Sequence, residues 1–426
     1  MTSAAAHSAI RASSSPISPA TRRSILLLSC ATFSSMVAQR ICDAMLPELS
    51  RVFAVSLAQA AQVVSVFAVT YGISQLFYGP LGDRLGKFRI VTFAALGCSV
   101  GSAVAVFAGS LDMLLLARIM MALGAAALIP LAMAWIGDTV PAHELQEMLT
   151  RTGLGSTLGI VCGQLLGGLL TDALGWRWAF AFLVLLFGAV GTLLWGDLRR
   201  QQALPKAVAE AGATPAHGAP GAPAARPHFL KQALLIASRP WPRTILLLAV
   251  IEGAMGFGVL AMWASHLHHA LGLSLSAAGA IVALFGLGGV GYMAAGRALI
   301  PRLGQHGLVL LGGGLLGISA LVVAYIPHWG PAIPASLVGG FGFFMFHNVM
   351  QANATQMAPE ARGTAVSLFA SFLFLGQSLG VVLAAALIGR IGSSAVVALG
   401  GGVMAVEGAY FAWVLRRRNS ALKFVN

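Results

Sequence analysis

The sequence predicts an all-α polytopic membrane protein, with twelve transmembrane helices in two pseudo-symmetric six-helix bundles. The first observation is the composition: the 426 residues are 58% hydrophobic and only 9% charged, with a mean hydropathy of +0.85. A soluble domain would carry about 25% charged residues. The second observation is that apolar runs long enough to cross a bilayer, which takes ~20 residues each, recur along the chain. The third is that these runs form two sets of six.

The apolar runs give the expected order of the domains. The first six lie at about 24–46, 57–79, 89–109, 112–135, 152–173 and 178–197, and the second six at about 243–265, 277–299, 307–326, 331–355, 363–388 and 394–415. The segment between the sets is rich in Ala, Pro and Gly, which predicts a flexible cytoplasmic linker. The expected division is a cytoplasmic tail (1–23), a six-helix bundle (24–197), the linker (198–242), a second bundle (243–415) and a basic cytoplasmic tail (416–426).

The distribution of basic residues predicts the orientation in the membrane. The net charge is +13, yet most of the 26 Lys and Arg residues fall in the tails and loops of one side. Only Arg51, Arg177 and Arg390 fall on the other side, while Arg40 and Arg118 fall within apolar runs. Cytoplasmic loops of membrane proteins carry such an excess of Lys and Arg. We therefore expect a multi-pass protein of the cell (inner) membrane with both termini in the cytoplasm, and no nucleic-acid partner.

A short basic turn lies between the second and third runs, with the sequence Gly79-Pro80-Leu81-Gly82-Asp83-Arg84-Leu85-Gly86-Lys87. An acid such as Asp83 is expensive in hydrocarbon, so the turn is expected at a membrane surface or beside a cation. Its glycines allow close helix approach and a sharp change of backbone direction. Pro301-Arg302-Leu303-Gly304 repeats the turn in the second half without the acid, which indicates an internal repeat.

Further motifs accompany this turn. The fourth run contains an arginine, Arg118, and the fifth contains Gly159-x-x-x-Gly163-Gln164-x-x-Gly167-Gly168. The first run ends with Arg40-x-x-Asp43, and the tenth contains His347-Asn348-x-x-Gln351. Together with the turn, these motifs resemble the major facilitator superfamily, and within it the twelve-helix drug:proton antiporter branch (arabinose-efflux-permease-like). The chain departs from the glycine motif of that branch by having Gln164 where proline is usual.

The resemblance implies roles for two groups of residues. One group would form a gating loop that stabilises the closed cytoplasmic gate: Gly79, Asp83, Arg84, Gly86 and Lys87. Asp83 would meet the start of the eleventh span near Gly363 and Thr364, where the positive end of a helix dipole is available. The second group would form an antiporter-type glycine motif: Gly159, Gly163, Gly167 and Gly168.

Polar side chains within the spans are expensive there and are therefore candidates for function. Arg40 and Asp43 are three residues apart and share a helical face with Gln39, a candidate for the substrate cavity. Asp43 is a candidate proton acceptor, and the alternative is a static ion pair near the outer surface. Arg118 has no acid within its own turn, so its expected partner is Asp43 or Asp83. The alternative for Arg118 is a side chain that reaches the membrane interface.

The second half offers fewer ionisable groups. Glu252 is either a second proton or substrate-charge site or an acid in a water-filled vestibule, whereas Glu407 is interpreted as structural. Three polar residues share one face of the tenth span and could either bind substrate or join helices by hydrogen bonds: His347, Asn348 and Gln351. Three histidines close the seventh span but lack the further ligands that a zinc site needs: His266, His268 and His269. No metal site, no cofactor and no enzymatic activity are expected.

The expected function is secondary active transport, namely proton-coupled efflux of a small organic compound (a drug, sugar or metabolite) by alternating access. In this hypothesis Asp43 exchanges the proton, Arg40 and Arg118 tune it, and Glu252 supports the coupling. The expected partners are the small-molecule substrate, the proton and the lipid bilayer, with the carrier acting as a monomer. Two alternatives stay open: a solute importer of the same fold (a proton symporter or a uniporter), and a non-transporting membrane sensor.

Overall fold

The computed structural model describes residues 17–210 and 229–423, which form fifteen α-helices. In the first half, here called the N-half, these are α1 Pro19–Arg40, α2 Leu46–Val52, α3 Leu57–Ala60, α4 Gln62–Leu85, α5 Lys87–Val106, α6 Leu111–Thr139, α7 Ala142–Leu174 and α8 Trp176–Glu210. In the second half, the C-half, they are α9 Phe229–Ser238, α10 Pro240–Ile251, α11 Trp263–Leu271, α12 Leu275–Tyr325, α13 Ala332–Gln356, α14 Arg362–Ile391 and α15 Ser393–Lys423. A π-helical segment, Glu252–Gly258, follows α10 directly.

Ten helical segments of the described chain are long and apolar enough to cross a membrane. α12 is one of them, although its 51 residues would extend ~77 Å as a straight helix. That length is more than twice the ~30 Å hydrocarbon core, and α12 is broken at Gly304, where φ is 61°. α1 is not among the ten. The all-α membrane fold is confirmed, and the count of twelve stays a prediction that requires α1 to cross once and α12 twice.

The repeated turn has the same backbone basis in both halves. Gly86 separates α4 from α5 with a φ of 91°, and Gly304 breaks α12 with a φ of 61°. Glycine adopts such positive φ values without the strain that a Cβ atom would cause. The C-half has therefore kept the turn, while Pro301 and Gln305 occupy the positions that correspond to Asp83 and Lys87.

Helices occupy both ends of the predicted linker. α8 continues to Glu210, because Leu198-Arg199-Arg200-Gln201-Gln202-Ala203 consists of good helix formers, and α9 and the start of α10 lie at the other end. Helical structure therefore extends into both ends of the predicted linker, 198–242, while its centre, 211–228, lies outside the described residues. α1 likewise begins at Pro19, within the predicted N-terminal tail, and α15 extends to Lys423, within the predicted C-terminal tail. The domain boundaries stay predictions. Residues 1–16 and 424–426 lie outside the description.

The glycine motif of α7 packs directly against α1. Glycines at four-residue intervals lie opposite the backbone carbonyl groups of every fourth residue of α1, pairing Gly155, Gly159, Gly163 and Gly167 with Ser29, Phe33, Val37 and Ile41. A methyl group on Gly163 would lie 2.8 Å from the carbonyl oxygen of Val37. Small residues permit such close backbone contact between membrane helices. The contact places Gln164, the neighbour of Gly163, beside the end of α1.

The two halves meet through α4 and α14. The hydroxyl groups of Ser65 on α4 and Ser378 on α14 lie 2.8 Å apart. Farther along the same two helices, Gly79 and Gly363 have open space where a side chain would be. The contacts of Ser65 and Gly72 with α14 lie in the first half of α4, and we call the other end of the molecule, which carries the turn between α4 and α5, the open end.

Candidate functional site

The predicted pair of Arg40 and Asp43 lies in a break of the first helix. α1 ends at Arg40, and five turn residues, 41–45, separate it from α2. Arg40 Nη1 lies 3.3 Å from Asp43 Oδ2, and each of the two side chains is 1% exposed. The side-chain amide of Gln164 on α7 donates to the same Oδ2 at 2.8 Å. The residue that replaces the usual proline of the glycine motif is therefore a direct partner of the candidate proton acceptor.

Several buried polar atoms of this cluster have no hydrogen-bond partner within the described residues. They are Oδ1 of Asp43, Nε of Arg40 and Oε1 of Gln164. Leaving one buried polar atom unpaired costs about 1–3 kcal/mol, so a concentration of such atoms indicates a site that serves function rather than stability. The Oδ1 atom of Asp43 is a position where a proton can bind without displacing an existing hydrogen bond.

Arg118 lies beside this cluster on α6 and is fully buried. Its Nη1 donates to the carbonyl oxygen of Ala38 at 2.7 Å, and its Nε donates to that of Val63 at 3.1 Å. The expected ion pair with Asp43 or Asp83 is absent from the described contacts, although Asp43 lies within electrostatic range. The end of α1 explains the difference, because the last carbonyl groups of a helix lack intrahelical partners and accept from other donors. Burial also excludes the interfacial alternative.

Two contacts join this cluster to the C-half. The guanidinium of Arg40 lies 4.5 Å from the ring centre of Phe257, which belongs to the π-helical segment. The side-chain amide of Gln39 donates to Gln377 Oε1 on α14 at 3.2 Å. The structure thus buries Gln39 between the halves. Its predicted place in the substrate cavity would require the halves to separate at this end.

The C-half contains a second buried carboxylate, Glu252, at the start of the π-helical segment. His347 Nδ1 on α13 lies 2.6 Å from Glu252 Oε1, and the Glu252 side chain is 0% exposed. The imidazole stacks on Phe343 with 5.7 Å between ring centres, and its ring lies 6.2 Å from that of Phe257. Short π-helical segments within α-helices are frequent at functional sites. The sequence suggested both residues separately, but not their pairing, because 95 residues lie between them.

The other polar residues of the C-half have different surroundings. Asn348 and Gln351 are exposed on α13, which disfavours a role in joining helices and leaves substrate contact as a prediction. Glu407 on α15 is 4% exposed, and neither of its carboxylate oxygens has a hydrogen-bond partner in the part of the chain that is described. A purely structural role for Glu407 would require such a partner.

The predicted gating loop lies at the open end of the molecule. Lys87 Nζ lies 3.1 Å from Asp83 and 2.5 Å from Asp138, near the end of α6. Thr364, at the start of α14, donates its hydroxyl group to Gln232 of α9 at 3.0 Å. The predicted contact between Asp83 and the start of α14 stays a prediction for a state in which this end closes. Asp138 is not among the predicted site residues, although its position just after the fourth apolar run is a signal in the sequence.

A polar contact holds the opposite end together. Asp172, near the end of α7, accepts hydrogen bonds from the N–H and the hydroxyl group of Ser276, both at 2.6 Å. Ser276 lies in the first turn of α12, so a carboxylate of the N-half caps a helix of the C-half. No sequence pattern indicated this contact, because its two residues are 104 positions apart.

The three histidines at the end of the seventh span do not converge on a metal position. The ring nitrogens of His266 lie 2.8 Å from the Ser393 hydroxyl group and 3.0 Å from the Val323 carbonyl oxygen. His268 Nδ1 lies 2.6 Å from the Leu273 carbonyl oxygen. Within the described ranges, no group of three or more His, Cys, Asp or Glu side chains could hold a metal ion.

Comparison with known sequences identifies relatives of this chain. The sequence pattern of the Major Facilitator Superfamily matches residues 28–361. The chain is 30% identical over 155 residues to the uncharacterized MFS-type transporter Rv1250 of Mycobacterium tuberculosis (strain ATCC 25618 / H37Rv), covering 35% of this chain and 25% of the relative. It is 26% identical over 153 residues to the riboflavin transporter RibZ of Clostridioides difficile (strain 630), with coverages of 36% and 34%. It is 26% identical over 155 residues to the multidrug export protein EmrB of Escherichia coli (strain K12), with coverages of 36% and 30%. The matched regions thus span only a quarter to about a third of these relatives.

Solved structures share the fold over nearly the whole chain. A bacterial homolog of the human lysosomal transporter Spinster, in an inward-facing and unoccupied conformation, matches with a TM-score of 0.68 at 18% identity, covering 93% of this chain and 96% of that one. A peptide transporter POT in complex with sulfate matches with a TM-score of 0.71 at 15% identity, with coverages of 93% and 94%. At these identities the likeness shows the fold alone. The fold and the family pattern together confirm the resemblance that the motifs indicated, and the chain belongs to the Major Facilitator Superfamily.

Proposed function

We propose that this protein is a secondary transporter that exports a small organic compound in exchange for protons by alternating access. The observation that carries the proposal is the surroundings of Asp43. Its carboxylate is buried against Arg40 near the contact between the halves, and its Oδ1 atom has no hydrogen-bond partner within the described chain. Ionisable residues inside membrane segments commonly mark ion or proton pathways. The functions in the names of two relatives, multidrug export and riboflavin transport, support a small organic substrate.

In this proposal the proton acts on the contact between the halves through Arg40. An ionised Asp43 holds the guanidinium electrostatically, whereas a protonated Asp43 leaves the guanidinium to interact with the ring face of Phe257 in the C-half. Such a cation–π contact contributes about 0.5–2 kcal/mol, depending on its exposure to water. Proton uptake therefore favours the arrangement described above, in which the end near Asp172 is closed. Proton release favours separation at that end, and Gln39 and Gln377 then become accessible to substrate.

We place the open end of the molecule on the cytoplasmic side, together with both termini. The support is the charge distribution, since Arg51, Arg177 and Arg390 lie toward the closed end and most other basic residues toward the open end. The test uses single cysteines at two exposed positions, Gly109 and Gln202, in a background without the four native cysteines. A membrane-impermeant maleimide applied to intact cells should label position 109 and not position 202. The opposite pattern would reverse the orientation.

The decisive experiment measures transport by purified protein in liposomes. A panel of dyes, antibiotics, sugars and riboflavin is offered under an imposed pH gradient, to wild type and to Asp43→Asn. We expect uptake driven by the gradient in wild type, loss of that uptake when an uncoupler dissipates the gradient, and loss of gradient-driven uptake in Asp43→Asn. Substrate exchange without a gradient should persist in the variant, because the carbonyl oxygen of the substituted side chain can still accept from Gln164.

Glu48→Gln is the matched control for this experiment. Glu48 lies five residues from Asp43, but it accepts hydrogen bonds from Arg51 at 2.6 and 2.8 Å near the surface. This variant should transport as wild type does. Gradient-driven transport that survives in Asp43→Asn would overturn the role of Asp43, and transport that is indifferent to the gradient would make the protein a uniporter.

An importer of the same fold is the second candidate function. Asn348 and Gln351 are exposed on α13, and the exposure of these polar side chains suits either direction of transport. The sign of coupling distinguishes the two candidates. An exporter that exchanges substrate for protons concentrates substrate against the direction of the proton gradient, whereas a symporter concentrates it along that direction.

A further inference from the structure

A groove lies between α10 and α15, on the lateral surface of the C-half. It has a volume of about 330 Å³, and its walls are mainly apolar, formed by Leu247, Leu248, Ile251, Val403, Val406 and Tyr410. Leu247 is 57% exposed and Val406 is 69% exposed. Because both helices are membrane-crossing segments, these exposed side chains face hydrocarbon rather than water. The groove is therefore open to the lipid phase and is large enough for a small organic molecule.

The groove contains a buried acid. Glu407 lines it, is only 4% exposed, and has two carboxylate oxygens without a hydrogen-bond partner in the described chain. The nearby carboxylate of Glu252 lies within electrostatic range and repels a charge on Glu407. His347 cannot compensate Glu407, because it is already paired with Glu252. An unpaired carboxyl group in such surroundings is held as the neutral acid unless a cation joins it.

The depth of Glu407 within the membrane restricts which chemical groups could pair with its carboxyl group. The residue lies ~21 Å along α15 from the helix start at Ser393 and ~14 Å before Arg416, at a rise of 1.5 Å per residue. In a hydrocarbon core ~30 Å thick, this position is far from both head-group regions. A lipid head group would have to leave the interface to reach it. A metal ion would need several oxygen ligands, and the groove offers only Glu407 and the hydroxyl groups of Thr244 and Tyr410.

We propose that this groove is a binding site for lipophilic amines that reach it from the bilayer. The neutral amine, which is the form that dissolves in hydrocarbon, takes the carboxylic proton of Glu407 onto its nitrogen. The resulting ammonium ion pairs with the Glu407 carboxylate, and the apolar part of the molecule lies along α10 and α15. No net charge has to cross the hydrocarbon, because the proton moves only between the two partners. This binding is an equilibrium property of the C-half and does not depend on the proposed transport cycle.

The test measures binding of a dansyl-tagged alkyl diamine, which has one free amino group, to the full-length protein in phosphatidylcholine nanodiscs. Binding is followed by energy transfer from the tryptophans of the protein, with empty nanodiscs as the blank. The N-acetylated form of the same probe, which cannot accept the proton, is the matched ligand control. We expect the free amine to bind at least tenfold more tightly than the acetylated probe, and this preference to disappear in Glu407→Gln.

Two further variants keep the test decisive if Glu407→Gln folds poorly. Val406→Trp should fill the groove and weaken binding of the amine, whereas Ile318→Trp, at a 61% exposed position on α12, should not. Asp43→Asn should bind the amine as wild type does, even where it abolishes gradient-driven transport. Equal binding of the amine and its acetylated form, or full binding by Val406→Trp, would overturn the proposal.

Discussion

The N-half and the C-half each bury one carboxylate near their mutual contact, but they compensate it in different ways. Asp43 is paired with Arg40, a side chain that is always charged, and is also held by Gln164. Glu252 is paired with His347, whose imidazole stacks on Phe343. The N-half therefore compensates its carboxylate with a guanidinium and an amide, and the C-half compensates its carboxylate with an imidazole held among aromatic rings.

The backbones around the two carboxylates differ as well. Asp43 lies in turns that interrupt the first helix, whereas Glu252 starts a π-helical segment that continues the helical rod without interruption. In the N-half, the carbonyl of Ala38 near the helix end accepts from Arg118. In the C-half, Gly253 and Gly258 allow the π-helical segment to lie directly against the backbone of α14. The N-half thus stabilises an irregular backbone with a buried cation, and the C-half does so with small residues.

The largest expected effect comes from breaking the buried ion pair of Arg40 and Asp43. Arg40→Met leaves the Asp43 carboxylate buried without its cation, and removing one partner of a buried ion pair costs about 3–5 kcal/mol. The double variant Arg40→Met/Asp43→Asn should regain most of that stability, because it leaves no uncompensated charge, yet it should not regain gradient-driven transport. Unfolding of the purified variants by SDS titration in mixed micelles measures the free energies. Strictly additive losses in the double variant would mean that the two side chains are not a coupled pair.

A moderate effect is expected at the closed end, where the halves meet through a helix cap. Asp172→Ala removes the acceptor of both hydrogen bonds from Ser276, while Ser274, the N-cap of α12, is unchanged. A typical hydrogen bond contributes about 0.5–1.5 kcal/mol. At about 1 kcal/mol, the equilibrium should shift roughly fivefold toward separation of this end. Spin labels at Ala173 and Ala270 report the distance between the halves. Asp112→Ala removes a first-turn acid on the same side of the N-half and should leave that distance distribution unchanged.

A smaller effect is expected from removing the ring that lies beside Glu252. His347→Gln keeps a side-chain amide that can donate to Glu252 Oε1, but it removes the stacking on Phe343. Aromatic pairs contribute about 0.5–1.5 kcal/mol, so we expect the free energy of unfolding to fall by about that amount. SDS titration in mixed micelles is the measurement, and His306→Gln, outside the two carboxylate clusters, is the control. A loss no larger than that of the control would mean that the stacked ring does not stabilise this half.

The smallest expected effect on stability comes from the gating loop. Asp83 and Asp138 both pair with Lys87, and exposed ion pairs contribute about 0–1 kcal/mol, so neither Asp83→Asn nor Asp138→Asn should lower the unfolding midpoint appreciably. Turnover should separate them. If Asp83 closes the gate against α14, Asp83→Asn should slow transport severalfold, whereas Asp138→Asn should transport at nearly the wild-type rate. Equal rates for the two variants would remove the gating role from Asp83.

The fold class and the family followed from local features of the chain. A span is recognised by ~20 consecutive apolar residues, and this property needs no knowledge of neighbours. The turn at Gly86 and its counterpart at Gly304 were recognisable for the same reason, since a glycine with positive φ is a local requirement. The importance of Asp43 and Glu252 was also local, because a charged group in an apolar run is expensive wherever it lies.

The partners of those charged groups were decided only by tertiary structure. The sequence is compatible with either an acid or a backbone carbonyl group as the partner of Arg118. In the structure Arg118 donates to the carbonyl oxygen of Ala38, because α1 ends just after that residue. Glu252 pairs with His347, which lies 95 residues away in the chain, and Asp172 accepts from Ser276, which lies 104 residues away. The sequence alone determined which side chains are too costly to be accidental in a membrane. Helix packing determined which of them meet, because hydrogen bonds and ion pairs act over a few ångströms between segments whose distance along the chain carries no information.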